Sequence, residues 1–194
     1  MKRVLIVTPY FPPVNAPDMQ RVRMSLKYFR QNGWEPTVIT VDEQFAGGFR
    51  DALLEETIPA DIEVIKIGAY PESITRKIGL GSLSLRSLFH FKKAGNKVLK
   101  EKKYDLVFFS TSMHHVLSLG RYWKKKFNIP FVVDMQDPWR NDFHLGKEQY
   151  NSSFKYRMAY NINKYMEAYT MPYADGIIAV SQAYIDILKQ RYPA

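Results

Sequence analysis

Side chains able to move protons or hold anions gather in four short stretches of this sequence, each directly after an apolar run. Asn15, Asp18 and Arg21 follow the run at 4–8 and a proline-studded turn. Ser110, Thr111 and Ser112 lead into the adjacent pair His114 and His115. Asp134, Gln136, Asp137, Trp139 and Arg140 follow the apolar stretch at 129–133, and Ser181 follows the one at 176–180. Histidine can exchange a proton near neutrality, carboxylates accept hydrogen bonds from hydroxyls, and arginine pairs with phosphate. Each residue also has a plain structural reading. One of the histidines either holds a ligand or simply begins the next helix, and Asp137 before Pro138 suits a turn or a helix cap. Ser181 before Gln182 reads first as an N-cap. Asp134 and Asp137 are neighbouring carboxylates with no clear third ligand, so no metal site is expected.

What positions these residues is a repeated strand and helix pattern. The run at 4–8 reads as a buried strand, and the helical spacing from 18 to 32 closes on Gly33, which suits a left-handed C-cap. The β-branched run at 36–41 completes a strand, helix, strand unit. Residues 42–61 read as loop with a short helix, 62–67 as a third strand, and 71–83 as a mobile surface loop. A helix is expected at 83–102, with Leu85, Leu88, Phe89, Val98 and Leu99 on its apolar side and lysines opposite. The nearly all-apolar 105–110 is a central strand, followed by a helix ending near 127, a strand at 129–134, a helix at 153–171, a strand at 176–180 and a helix at 182–191. This alternation predicts one α/β domain over 1–194: a doubly wound, mostly parallel, Rossmann-like sheet with helices on both faces and strand order 3-2-1-4-5-6. In such sheets ligands bind beyond the carboxyl ends of the strands, near the point where strand order reverses. All four polar stretches fall there.

Composition narrows the function further. The 194 residues are 46% hydrophobic and 14% aromatic, enough for a real core, and there is no cysteine, which excludes disulfides and thiolate chemistry. No stretch approaches the ~18 apolar residues of a membrane span. The net charge of +9 points to anionic partners. Much of it lies in Arg76, Lys77, Arg86, Lys92, Lys93, Lys97, Lys100, Lys102 and Lys103, opposed only by Glu101. The plain reading is a solvated helix face; the sharper one is a contact of Lys92, Lys93, Lys97 and Lys100 with an anionic membrane surface. The first helix N-terminus favours an anion, with Arg21 and Arg23 in its first turns. Yet no glycine fingerprint for dinucleotides, no P-loop and no G-x-S-x-G occurs.

The residues 6–13 (IVTPYFPP), 33–40 (GWEPTVIT), 134–139 (DMQDPW) and 174–181 (ADGIIAVS), in this order and spacing, resemble the N-terminal domain of family 4 glycosyltransferases, retaining enzymes of the GT-B fold that use nucleotide-sugars. The resemblance covers nearly the whole chain. It implies two Rossmann-like domains across a cleft, of which this chain is the acceptor-side one; the C-terminal nucleotide-sugar domain is absent, and the chain alone should not turn over. It further implies a nucleotide-sugar donor, a glycan or lipid-linked acceptor, a role in surface polysaccharide or glycolipid synthesis, and transfer without metal or other cofactor. His114 and Asp137 would be the catalytic pair, orienting and accepting from hydroxyls. Asn15, Arg21, Ser112, His115, Gln136, Trp139 and Ser181 would contact acceptor or donor, Trp139 either stacking on a sugar or anchoring its loop. A cytoplasmic protein, peripheral on the inner membrane face, is the implied setting.

The sequence departs from the family in two places. Asn15-Ala16-Pro17 stands where many members carry Gly-Gly, and Gln136 where Arg is frequent. Two other classes compete with the transferase. A non-catalytic module could bind nucleic acid or another polyanion through the basic face, but no helix-turn-helix or RNA-recognition signature accompanies it, and no nucleic acid partner is expected. A nucleotide-dependent oxidoreductase lacks its glycine fingerprint.

Overall fold

The computed structural model describes residues 1–142 and 154–193. Six strands form one all-parallel sheet, β1 (Lys2–Val7), β2 (Trp34–Val41), β3 (Glu63–Ile67), β4 (Leu106–Ser110), β5 (Phe131–Met135) and β6 (Gly176–Ala179), in the order β3-β2-β1-β4-β5-β6. That is the order expected from right-handed crossovers. The helices are α1 (Gln20–Phe29), α2 (Glu43–Ala46), α3 (Glu72–Thr75), α4 (Leu83–Glu101), α5 (Ser118–Phe127), α6 (Phe154–Thr170) and α7 (Gln182–Arg191). The residue at which the sixth strand's preceding helix was expected to begin, Ser153, lies outside the described residues.

Two apolar layers hold the sheet. On one face Val22 and Leu26 of α1 pack on Val4, Ile6 and Val38. On the other, α4, α5, α6 and α7 cover Leu5, Val7, Phe109, Phe131 and Val133. β1 is central and its Val4, Leu5, Ile6 and Val7 are fully buried, which is why that strand reads as an unbroken apolar run. Gly33 ends the first helical stretch at φ 79°, the left-handed conformation its position requires.

Two expectations change. Residues 71–83 are not an irregular loop. They hold α3 and a 3-10 turn, Arg76–Ile78, pinned by buried Thr75, whose hydroxyl donates to the Pro71 carbonyl at 3.1 Å. The buried stripe of α4 matches the expected apolar side only in part: Val98 is buried and Leu88 and Leu99 are half-buried against the core. Phe89 is 58% exposed, whereas Ser84, Ser87, Phe91, Gly95 and Val98 are buried at helical spacing. Small residues let α4 approach α5: a Cβ on Gly95 would stand 2.1 Å from the Trp123 ring. Trp123 is fully buried, stacks on Phe109 at 6.0 Å and donates Nε1–H to Asn96 Oδ1 at 3.2 Å. Arg86, counted with the basic stretch, is buried as well, donating to the backbone carbonyls of Tyr70 at 3.0 Å and of Phe45. Its charge therefore does not belong to the basic surface.

Candidate active site

Beyond the carboxyl ends of β1, β4 and β5, where strand order reverses, a cleft of about 340 Å3 opens. Its lining includes Asn15, Asp18, Gly47, Ser112, Gln136 and Asp137. The wall after β1 is stiffened by prolines, with Pro12–Pro13 in cis. It is tied to the segment after α2 by a Val14 to Arg50 bridge, by Asn15 N–H to Phe49 O at 2.8 Å and by Asp51 N–H to Pro13 O at 2.8 Å. These bonds carry Gly47 and Gly48, at φ 70° and 92°, into the cleft beside Asn15, Ala16 and Pro17. Two glycines thus line the cleft, from the loop after the second strand rather than from the first loop. Their positive φ values explain why glycine stands there.

Asp18 stitches the three loops together. Its carboxylate accepts from the Thr111 hydroxyl at 2.8 Å and from Ser112 N–H at 3.3 Å, and its carbonyl accepts from Gln136 Nε2 at 2.8 Å. It is buried, and burial pushes its carboxyl above the ordinary value against the pull of those hydrogen bonds. Asp18 stood among the polar residues legible in the sequence, but its partners lie 93 and more positions away and no local pattern announces them. Asn15 faces the cleft and accepts from Gln20 Nε2 at 3.2 Å.

Arg21 takes a different place. It pairs with the buried Asp134 carboxylate, which also accepts from Ser110 Oγ at 2.8 Å. Arg21 and Asp134 line a separate cavity of about 590 Å3 with Met24, Tyr28, Phe108 and Ile178, beside α1 rather than in the cleft. Gln136 bridges the two, since its amide also reaches Ser110 Oγ at 3.4 Å.

The two histidines sandwich Trp139. His114 stacks on the indole at 5.8 Å with the planes 17° apart, and His115 stands edge-on at 6.4 Å. Trp139 is 4% exposed, so it anchors the loop after β5 and its ring face is taken by His114. Burial lowers the His114 pKa to about 4, and it is neutral at pH 7. Its Nε2 lies 2.9 Å from the Asp137 carbonyl. A carbonyl can only accept, so neutral His114 carries its proton on Nε2 and keeps a lone pair on Nδ1. His115 is held by Ser84 Oγ at Nδ1, 2.7 Å away, and by Asn163, and burial lowers its pKa too. It lines a separate cavity with Leu85, Met158 and Ile162 and is not in the cleft lining. Ser181 caps α7, its hydroxyl accepting Ala183 N–H at 3.2 Å, and is not in the cleft lining.

Lys92, Lys93, Lys97 and Lys100 are all exposed on α4, with Lys92 over the Tyr122 ring at 4.5 Å and Lys97 4.0 Å from Glu101. Among the described residues no group of three His, Asp or Glu side chains gathers as a metal site would need, and no helix is long and apolar enough to cross a membrane.

One cluster was not read from the sequence beyond its member Arg140. Glu167 of α6 is completely buried and accepts from Arg140 N–H, Arg191 and the Tyr192 hydroxyl, each at 2.9 Å. Asp142 takes both Arg140 and Arg191. Arg140 holds the Asp142 carboxyl well below the usual carboxylate range. This network fastens the loop carrying Asp137 and Trp139 to α6 and α7.

The profile of Glycosyltransferase Family 4 matches residues 20–194. No curated protein is significantly similar to the sequence. The fold is similar to that of apo UGT2 from Phytolacca americana, with a TM-score of 0.62, 12% identity, and coverage of 100% of this chain and 50% of that one. It is also similar to HepE of Anabaena in complex with UDP-glucose, with TM-score 0.51 and 17% identity over 98% of this chain and 40% of that one. Sucrose-phosphate synthase of Thermosynechococcus elongatus gives TM-score 0.56 and 12% identity over 98% and 83%. The chain spans about half the length of the first of these and less of the second.

Proposed function

From the premise that the chain belongs to glycosyltransferase family 4, we propose that it is the acceptor-side, N-terminal domain of a retaining transferase that moves a sugar from a nucleotide-sugar to a glycan or lipid-linked acceptor. The observation that carries this reading is the cleft at the point of strand reversal, lined by the Asp18-stitched loops and the Gly47 and Gly48 backbone, with neutral His114 behind it, bonded to the carbonyl of the lining residue Asp137. The nucleotide-sugar is carried by a second domain facing this cleft, and the chain alone does not turn over.

The acceptor oxygen attacks the anomeric carbon on the face from which the diphosphate leaves. The bond from that carbon to the phosphate oxygen breaks as the new glycosidic bond forms, and the acceptor proton passes to the departing diphosphate. No protein nucleophile and no metal is required. The exposed backbone of Gly47 and Gly48 lets the diphosphate approach closely, as the first loop, with Pro17, does not. His114 Nδ1 accepts from a sugar or acceptor hydroxyl, and the Asp137 carboxylate accepts from the acceptor. Asn15, Ser112 and Gln136 complete the polar lining. Arg21, neutralised by its pairing with Asp134 beside α1, contacts no ligand in this reading and instead holds Asp134 and Ser110 behind the cleft. The pathway is surface polysaccharide or glycolipid synthesis at the cytoplasmic face of a membrane, which Lys92, Lys93, Lys97 and Lys100 touch.

The test is transfer from labelled UDP- and GDP-sugars to a membrane extract by the product of the whole reading frame. Transfer with retained anomeric configuration is expected, reduced about 10- to 100-fold by His114→Ala or Asp137→Ala, the loss of one hydrogen bond to a polar or charged group. An inverted product, or full activity of the 194-residue chain by itself, would count against the reading.

A further inference from the structure

A third cavity, of about 560 Å3, lies between residues 76–82, the start of α4, and α6. It is within the size range of small-molecule sites. Its floor is apolar, made by Leu85 of α4 and by Met158, Ala159 and Ile162 of α6. Gly79, at φ 77°, leaves room for the Met158 methyl, which a Cβ there would meet at 2.9 Å. The rim is basic: Arg76, Lys77 and Lys155. Arg76 is 81% exposed and its nearest carboxylate, Glu72, is 4.0 Å away, so its charge remains available. No acidic residue stands among the described residues that line the cavity. The first turn of α4, a 19-residue helix, opens on the same space, and its Ser82 cap accepts the Leu85 N–H at 3.4 Å and pairs with the Ser84 hydroxyl at 3.3 Å. The inner end is His115, which meets Trp139 edge-on while His114 stacks on the same indole.

An apolar floor alone would suit a neutral chain, and lysines alone a solvated surface. Their combination in one cavity, with no carboxylate among the described lining residues, fits a ligand that is apolar along its length and anionic at its head. We infer that this cavity binds an amphiphilic phosphate, its chain on Leu85, Met158 and Ile162 and its phosphate at Arg76, Lys77 and Lys155. Identifying that ligand as the lipid-linked acceptor rests on the transferase reading; the binding itself does not.

Octyl phosphate, titrated below its aggregation concentration into the 194-residue chain by calorimetry, tests the inference. One-to-one binding is expected, with inorganic phosphate and octyl glucoside each about ten-fold weaker or more. The pair Arg76→Gln and Lys77→Gln should weaken octyl phosphate by about ten-fold or more, as should Met158→Glu. Lys125→Gln with Lys189→Gln, exposed lysines away from the cavity, should leave it unchanged. Arg76 and Lys77 are exposed, so the first pair retains the fold even if Met158→Glu does not. Inorganic phosphate binding as tightly as octyl phosphate, unchanged binding by the Arg76 and Lys77 pair, or binding only to anionic vesicles and not to the monomer would each overturn the proposal. Octyl phosphate binding without any sugar transfer by the whole reading frame would sink the transferase reading and leave the cavity standing. Transfer to a water-soluble glycan with no octyl phosphate binding would do the reverse.

Discussion

His114 shows how a residue type can be legible while its state is not. The sequence displays two adjacent histidines after an apolar strand, and only the fold reveals that one stacks on Trp139 and is buried enough to stay neutral. A pH dependence follows. The folded-state pKa of about 4 lies below the ordinary value of about 6.5, so as pH falls through 6.5 the unfolded chain takes up the proton first. Stability contributed by this group is full above pH 6.5, declines between 6.5 and 4, and is constant below 4. The total is roughly 3 kcal/mol at most. Urea melts from pH 7.5 to 4 should show that decline, and His114→Gln should flatten it; an unchanged slope in the variant would show that other groups cause it. Asp18 gives a second case. Asp18→Ala leaves the Thr111 hydroxyl and Ser112 N–H without their acceptor. We expect a loss of about 2–3 kcal/mol, read from the urea midpoint at constant slope.

Among the elements, α4 departs furthest from its sequence reading, and the reason is physical. A count of apolar residues selects Leu85, Leu88, Phe89, Val98 and Leu99. The helix buries Val98 of these but leaves Phe89 exposed, and it also buries Ser84, Ser87 and Gly95, the last because α5 presents a tryptophan that needs the space. Hydropathy registers what a side chain gains on burial, and says nothing of room left for a partner's ring. Gly95→Ala tests this directly, since its Cβ would stand 2.1 Å from the Trp123 ring in a fully packed layer. Overpacking of this kind costs about 1–3 kcal/mol, whereas alanine in an exposed helix would gain stability over glycine. A higher melting temperature for the variant would refute the close approach. The opposite side of α4 was legible. Lys92, Lys93, Lys97 and Lys100 are exposed there together with Phe89, the combination a peripheral membrane contact uses. Changing the four lysines to glutamine should reduce co-sedimentation with anionic vesicles by at least about ten-fold at physiological salt, at about 1 kcal/mol per charge. Equal binding by both proteins would end the membrane assignment.

At the scale of the whole molecule, strand order was the most legible feature. Six apolar runs alternating with helical patterns leave few topologies once crossovers must be right-handed, and the observed order is one of them. What the alternation cannot encode is how the loops beyond the strands are held in place, because that depends on charged residues far apart in sequence. The Glu167 network is the main instance. It joins the loop after β5, the body of α6 and the end of α7, and two arginines balance two carboxylates within it. Glu167 is completely buried, so replacing it by leucine leaves Arg191 and the Arg140 N–H without that acceptor. Breaking one side of a buried pair typically costs about 3–5 kcal/mol, while replacing both sides by apolar groups of similar volume is much milder. Arg191 also pairs with Asp142, which retains part of its charge balance, so Glu167→Leu should cost the lower end of that range, about 3 kcal/mol. The double variant Glu167→Leu with Arg191→Met should then lose less than the sum of the two single variants, and a double-mutant cycle of urea midpoints measures the difference. Strict additivity would mean that the two side chains do not act as one unit. The functional consequence belongs to the same network. It fixes the loop that presents Asp137 and Trp139 to His114, so Glu167→Leu should also shift the His114 titration, observed as its imidazole proton resonances across pH 3 to 7, upward toward the ordinary value as the sandwich loosens. A His114 titration unmoved by Glu167→Leu would separate the stability of the molecule from the geometry of its cleft.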